Sequence, residues 1–155
     1  YVPPILRIPA VVISNIGPFI GFAKRFSPNT GFDNYVQVNP FKGNTLTNDE
    51  TTYAQLVSQL DAHPELGIGG PSINWLHQAL TECAKLRKMP APEHECLCFI
   101  GSQEAIVSNN AIKQIMGKWS KGKLIEIDGS QHEVLMEEPH VLDITWTEID
   151  RFLAL

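Results

Sequence analysis

Apolar and polar positions alternate with two different periods along this chain, and the change falls near Pro92. Before it, apolar residues recur at helical spacing. Val12, Ile13, Ile16, Phe19, Ile20, Phe22 and Phe26 form a rough stripe over residues 12–26, which predicts an amphipathic helix after an irregular start. A polar stretch rich in turn formers follows, NTGFDNYVQVNPFKGNTLTNDE. Thr47 opens a second helix: TNDE places Glu50 three residues after Thr47, a capping-box spacing. Leu56, Val57 and Leu60 continue its apolar face, and it stops before Pro64. GIGGPS is a turn, and Ser72 caps a third helix bearing Ile73, Leu76, Leu80 and Leu86.

After Pro92 come short apolar runs and amphipathic segments. ECLCFI (95–100) is bounded by Pro92 and Gly101 and predicts a strand. NNAIKQIMGKWS (109–120) carries Ile112, Ile115, Met116 and Trp119 at helical spacing. KLIEI (123–127) predicts a second strand, and VLDITWTEIDRFLAL (141–155) a last helix. Strand, helix, strand, helix is the end of an α/β fold with a parallel sheet. Parallel strands are buried on both faces, so two of them need more strands from elsewhere. The chain divides into a helical region, 1–92, and a β-α-β-α region, 93–155.

Composition narrows the function classes. The 155 residues are 43% hydrophobic and 19% charged, as in a globular domain. A net charge of −5 and the lack of a basic stripe argue against nucleic acid. The basic residues from Lys113 to Lys123 read as a solvated face. Cys83, Cys96 and Cys98 are too few and odd in number for a disulfide framework. With no cleavable signal peptide apparent, a cytoplasmic location is expected. The opening YVPPILRIPAVVISNIGPFIGFA is apolar, but Pro3, Pro4, Pro9, Arg7 and Pro18 oppose a membrane span. Peripheral contact with lipid is compatible with it. Core packing is the first expectation for Ile5–Phe26.

Two residues stand out for chemistry. Glu104 follows the first strand by a few residues and His132 follows the second. Successive parallel strands separated by one helix deliver both loops to the same sheet edge, where ligands of open α/β sheets bind. A carboxylate there can accept the imidazole Nδ1 proton, as in two thirds of a nucleophile–base–acid triad. Bland alternatives stand beside this reading: Glu104 as a carboxylate at a helix start, and His132 as an ordinary loop histidine. Asp128 is a rival acid but reads as a turn residue. Glu133, Glu137 and Glu138 read as surface charges. His94, Cys96 and Cys98 share a strand face, yet lack structural zinc spacing, so no metal is expected. His63 and His77 read as ordinary. No cofactor is implied.

A nucleophile serine in a G-x-S-x-G turn is not found. Ser72, Ser102 and Ser130 all lack the glycines and the strand–turn–helix context.

The segments FIGSQEAIVSNN and IDGSQHEVLMEEP resemble the acid and histidine segments of α/β-hydrolases of the lysophospholipase and monoacylglycerol-lipase group. NP-x-x-x-N-x-LT-x-D with GGPS-x-x-WL resembles the helical cap that bacterial lysophospholipases insert before the acid strand. The resemblance covers nearly the whole chain. It implies the C-terminal part of an α/β-hydrolase fold, with 1–92 as cap or lid and 93–155 as core. It implies Glu104 as catalytic acid, where most relatives carry Asp, and His132 as catalytic base. Trp75 would be either cap core or a wall of an acyl-chain pocket. The implied substrate is a single-acyl lipid ester, a lysophospholipid or monoacylglycerol. The implied partner is the missing N-terminal half, or a second copy, and the chain alone should be inactive. Other outcomes are a non-catalytic binding fragment of a degenerate hydrolase, or a hydrolase of small esters or peptides.

Overall fold

The computed structural model describes residues 12–13, 15–17, 21–28 and 30–154. The prolines and Arg7 of the opening stretch, and Phe19 and Ile20, lie outside the described residues. Among the described residues no helix is long and apolar enough to cross a membrane.

The chain forms two compact units. Among the described residues, one comprises those of 40–58 and 90–154, the other those of 12–39 and 59–89. Residues 40–58, N-terminal to the boundary drawn at residue 92, thus group with the strands.

The strand-bearing unit is built on β1 (Cys96–Gly101), α4 (Asn109–Met116), β2 (Gly122–Ile127) and α5 (Pro139–Leu153). β1 and β2 pair in parallel, with Cys96 opposite Gly122 and Gly101 opposite Ile127. Each element starts and stops for a local reason. The Ser108 side chain accepts the Ala111 amide and caps α4. The helix ends at Met116, four residues short of the expected Ser120, because the chain turns at Gly117. There Trp119 Nε1 instead donates to the His94 carbonyl at 2.8 Å. Pro139 opens α5, where a missing N–H is tolerated.

Ile127, Val134 and Val141 form the core of this unit, packed against Phe99 and Ile125. Val141 and Thr145, four residues apart, are the buried face of α5. Ile144, Trp146 and Leu153 on the same helix are exposed. Lys113 pairs with Glu126 and Lys123 with Glu148, so these lysines are solvated partners of acids as expected.

Residues 44–49 do not form the expected capping box. α2 (Glu50–Ala62) starts at Glu50, and its cap is Asp49, whose Oδ1 accepts the Thr52 amide at 2.8 Å. Thr47 is fully buried and its hydroxyl donates to the Met136 carbonyl at 2.6 Å. The Thr47 hydroxyl oxygen accepts the Asp49 amide at 2.9 Å, two residues on and ahead of the helix, so it does not cap the first turn. Tyr53 of α2 is buried beside Phe41.

The second unit contains a short α1 (Tyr35–Val38), inside the stretch read as polar loop, and α3 (Ile73–Leu86). Ser72 caps α3 as expected, accepting the Trp75 amide at 3.1 Å. Phe26 and Ser72 form an antiparallel bridge. Gly70 permits close passage here, since a Cβ on it would sit 2.2 Å from Thr30 Cβ. The stripe over 12–26 is helical only at its start among the described residues: 12–13 and 15–16 are helical, whereas 21 and 23–24 are turns. Val12, Ile13, Ile16 and Phe22 are exposed, which corrects the expectation that they pack in a core.

Candidate active site

Glu104 lies three residues beyond β1, and His132 five residues beyond β2. Because the strands are parallel neighbours, both loops leave the same sheet edge. The loops are then stitched together. Ser102 N donates to the Ile127 carbonyl at 3.0 Å, and Gln103 N to the Ser130 carbonyl at 2.9 Å. Gly101 is where the loops come closest: a Cβ there would lie 2.2 Å from the Ser130 carbonyl oxygen.

The result is a direct bond between the two predicted residues. His132 Nδ1 is 2.6 Å from Glu104 Oε2. The Glu104 side chain is 5% exposed and that of His132 28%, so the carboxylate is enclosed while the ring keeps access to solvent. Glu104 Oε1 accepts the amides of Ile106 and Val107, the latter at 2.9 Å. It therefore closes its own turn, and the helix-start reading is displaced because Ser108 caps α4.

Burial, the largest single influence on Glu104, pushes its carboxyl up. The Val107 amide, the His132 imidazole and the Ile106 amide together outweigh it, and the carboxyl ends below its ordinary value. An ionised carboxylate only accepts, so Nδ1 carries the proton between the two groups, and in that tautomer of the neutral imidazole Nε2 is able to accept one. Glu133 Oε1 stands 3.9 Å from Nε2.

The other candidates fall elsewhere. Asp128 accepts a hydrogen bond from the Ser102 hydroxyl at 3.2 Å, as a turn residue would. Ser102 Oγ also accepts the Gly129 amide at 2.9 Å, and Ser130 is fully buried. Among the described residues no hydroxyl or thiol bonds the His132 ring. Trp75 belongs to the other unit and is 61% exposed, so it is not core there. A cavity of about 410 Å³ in that unit is lined by His77, Leu80, Thr81 and Ala84 with lysines and Arg87, and contains neither Glu104 nor His132. His63 is exposed and pairs with Glu65. Among the described residues no cluster of three or more His, Cys, Asp or Glu could hold a metal ion.

Glu137, expected at the surface, is 1% exposed. Its carboxylate accepts the Gln131 amide at 2.6 Å and the Asn48 amide at 3.0 Å. The available signal was its place after the apolar run Val134–Met136, and the partner segment lies 89 positions away.

The carboxylate-bound histidine thus stands at adjoining strand exits on a parallel β-α-β-α scaffold. The chain superposes on a soluble variant of monoglyceride lipase from Saccharomyces cerevisiae, solved with a substrate analog. The TM-score is 0.67 at 16% identity, over 97% of this chain and 51% of that one. The fold is therefore that of about half a monoglyceride lipase. In sequence the chain is distantly similar to a probable lysophospholipase L2 of Haemophilus influenzae, 27% identical over 92 residues. That match takes in 59% of this chain and 29% of the relative's length. No family model matches the chain.

Proposed function

We propose that this chain supplies the acid and the base of a serine-hydrolase triad, completed by a nucleophile serine from polypeptide outside this sequence. The observation that carries the reading is the 2.6 Å bond from His132 Nδ1 to the enclosed Glu104 carboxylate. The substrate is a carboxylic ester of a single-acyl lipid, a lysophospholipid or a monoacylglycerol. Support for that class comes from what the lysophospholipase and the monoglyceride lipase are named for.

In the assembled enzyme, the serine oxygen attacks the ester carbonyl while His132 Nε2 takes its proton. The same proton passes to the leaving alcohol as the acyl-enzyme forms. Water then attacks the acyl-enzyme and loses its proton to Nε2, which returns it to the serine oxygen as the acyl–serine bond breaks and the fatty acid leaves. Glu104 holds the tautomer and stabilises the imidazolium in both halves of the cycle. In this reading residues 1–92 contribute the cap, Trp75 is an acyl-pocket wall, and the enzyme works at a membrane surface without crossing it. The chain alone does not turn over esters.

The test is co-expression of the chain with a serine-bearing hydrolase half, followed by assay on lysophosphatidylcholine and monoacylglycerol micelles. Ester cleavage and fluorophosphonate labelling of the assembled pair, both absent from either piece alone, are expected. Hydrolysis unaffected by His132→Ala would overturn the assignment.

A further inference from the structure

His132 sits at a distance from its strand, so the geometry at Nδ1 depends on what holds the loop 129–137. Both of its chain neighbours are fastened to one segment, 46–48. Gln131 N donates to Glu137 Oε1 at 2.6 Å, and Glu133 N donates to the Leu46 carbonyl at 2.8 Å. Asn48 N donates to Glu137 Oε2 at 3.0 Å, and Asn48 Nδ2 donates to Glu137 Oε1 at 3.2 Å and to the Gly129 carbonyl at 2.8 Å. Gln131 Nε2 returns a bond to Asn48 Oδ1 at 2.9 Å. Thr47 Oγ1 closes the far end on the Met136 carbonyl.

At the centre is a carboxylate that is almost fully buried and, among the described residues, has no cation beside it. Burying such a group is costly unless N–H donors occupy its oxygens. Three do. A burden of this kind is unnecessary for simple packing, where an apolar side chain of similar size would serve. It suits a place where donors must be held in fixed directions.

We infer that Glu137 is a positioning residue for His132: with Asn48 it fixes the histidine loop so that Nδ1 meets Glu104. The inference rests on the triad reading for its effect on catalysis, but not for its effect on the Glu104–His132 bond. Gln cannot replace Glu here. Oε1 faces the Gln131 amide and Asn48 Nδ2, and Oε2 faces the Asn48 amide. Whichever oxygen becomes NH₂, two donors confront each other.

The experiment has two readouts. In the chain as it exists, the downfield proton of His132 Nδ1 is followed by ¹H NMR. In the assembled hydrolase, kcat and KM are measured. Glu137→Gln is expected to lose or shift the Nδ1 resonance. It should lower kcat on the order of 10²-fold, with KM within about twofold, as for a reacting group displaced by about an ångström. Asn48→Ala should give the same pattern more weakly, and it carries the test if Glu137→Gln does not fold. Glu138→Gln, at the exposed neighbouring carboxylate, should change neither. In a His132→Ala background, Glu137→Gln should add nothing to the loss. The inference is overturned by an unchanged resonance with kcat within twofold. It is equally overturned by an equal fold-loss in the His132→Ala background, which marks general destabilisation. If His132→Ala itself keeps activity, the triad reading fails, and the resonance alone decides whether Glu137 sets the loop.

Discussion

Gly101 and Ser130 approach so closely that a Cβ on Gly101 would stand 2.2 Å from the Ser130 carbonyl oxygen and 2.3 Å from that of Gln131. Both obstacles are backbone and cannot swing aside. Gly101→Ala should therefore push the histidine loop off the acid loop. A destabilisation of about 1–3 kcal/mol is expected, the range for overpacking. It should be read as a lower urea midpoint with an unchanged slope. Loss of the Nδ1 resonance of His132 should accompany it. A midpoint equal to wild type would show that the contact relaxes freely.

The Glu104–His132 bond makes a specific forecast for Glu104→Gln. Oε1 is committed to the amides of Ile106 and Val107, so an amide oxygen will take that side. The NH₂ then faces Nδ1, which must turn acceptor, and the proton moves to Nε2. A ring in that tautomer cannot act as base. The assembled enzyme should lose roughly 10³–10⁴-fold in kcat, as when the orienting carboxylate of a serine triad becomes an amide. His132→Ala should cost on the order of 10⁴-fold or more. Losses below tenfold for both would remove the pair from catalysis.

Stability should depend on pH through Glu104. Its folded carboxyl lies below its ordinary value, although burial pushes the other way, because the Val107 amide, His132 and the Ile106 amide stabilise the anion. Below both its folded and unfolded values the carboxyl is protonated in either state and contributes nothing. Above the unfolded value, about 4.3 for Glu, the contribution is complete. The Glu104 contribution should thus be constant near neutrality and fade as pH falls through the lowered folded value. Urea midpoints of wild type and Glu104→Ala at pH 7, 5 and 3 check this. A gap between the two that widened toward acid would contradict the sign.

Much of this was legible because it is local. Ser72 and Ser108 cap helices by bonds within three residues, and ECLCFI and KLIEI carry the apolar runs of strands. The acid–histidine pairing followed from connectivity, since adjacent parallel strands must deliver their exits together. Thr47 and Glu137 were less legible: each bonds a partner 89 positions away. Local rules made Thr47 a helix cap and Glu137 a solvated charge. The stripe at 12–26 failed differently, as helical spacing says nothing of whether a face will find cover. Val12, Ile13 and Ile16 are exposed.

Two of the three thiols, Cys83 and Cys98, should react in a fixed order. Cys83 is exposed on α3, whereas Cys96 and Cys98 are half-buried on β1. Burial, and then the neighbouring Cys96 thiol, push the Cys98 thiol above its ordinary value, which lowers its thiolate fraction near neutrality. Since the thiolate is the attacking form, access and ionisation act in the same direction. Iodoacetamide at pH 7.5, followed by peptide mass spectrometry, should therefore label Cys83 first and Cys98 more slowly. Adding urea should abolish the difference, because both penalties come from the folded strand. Equal rates in the native chain would mean that β1 opens on the labelling timescale. The strand carrying the Glu104 loop would then be the weak point of the fold.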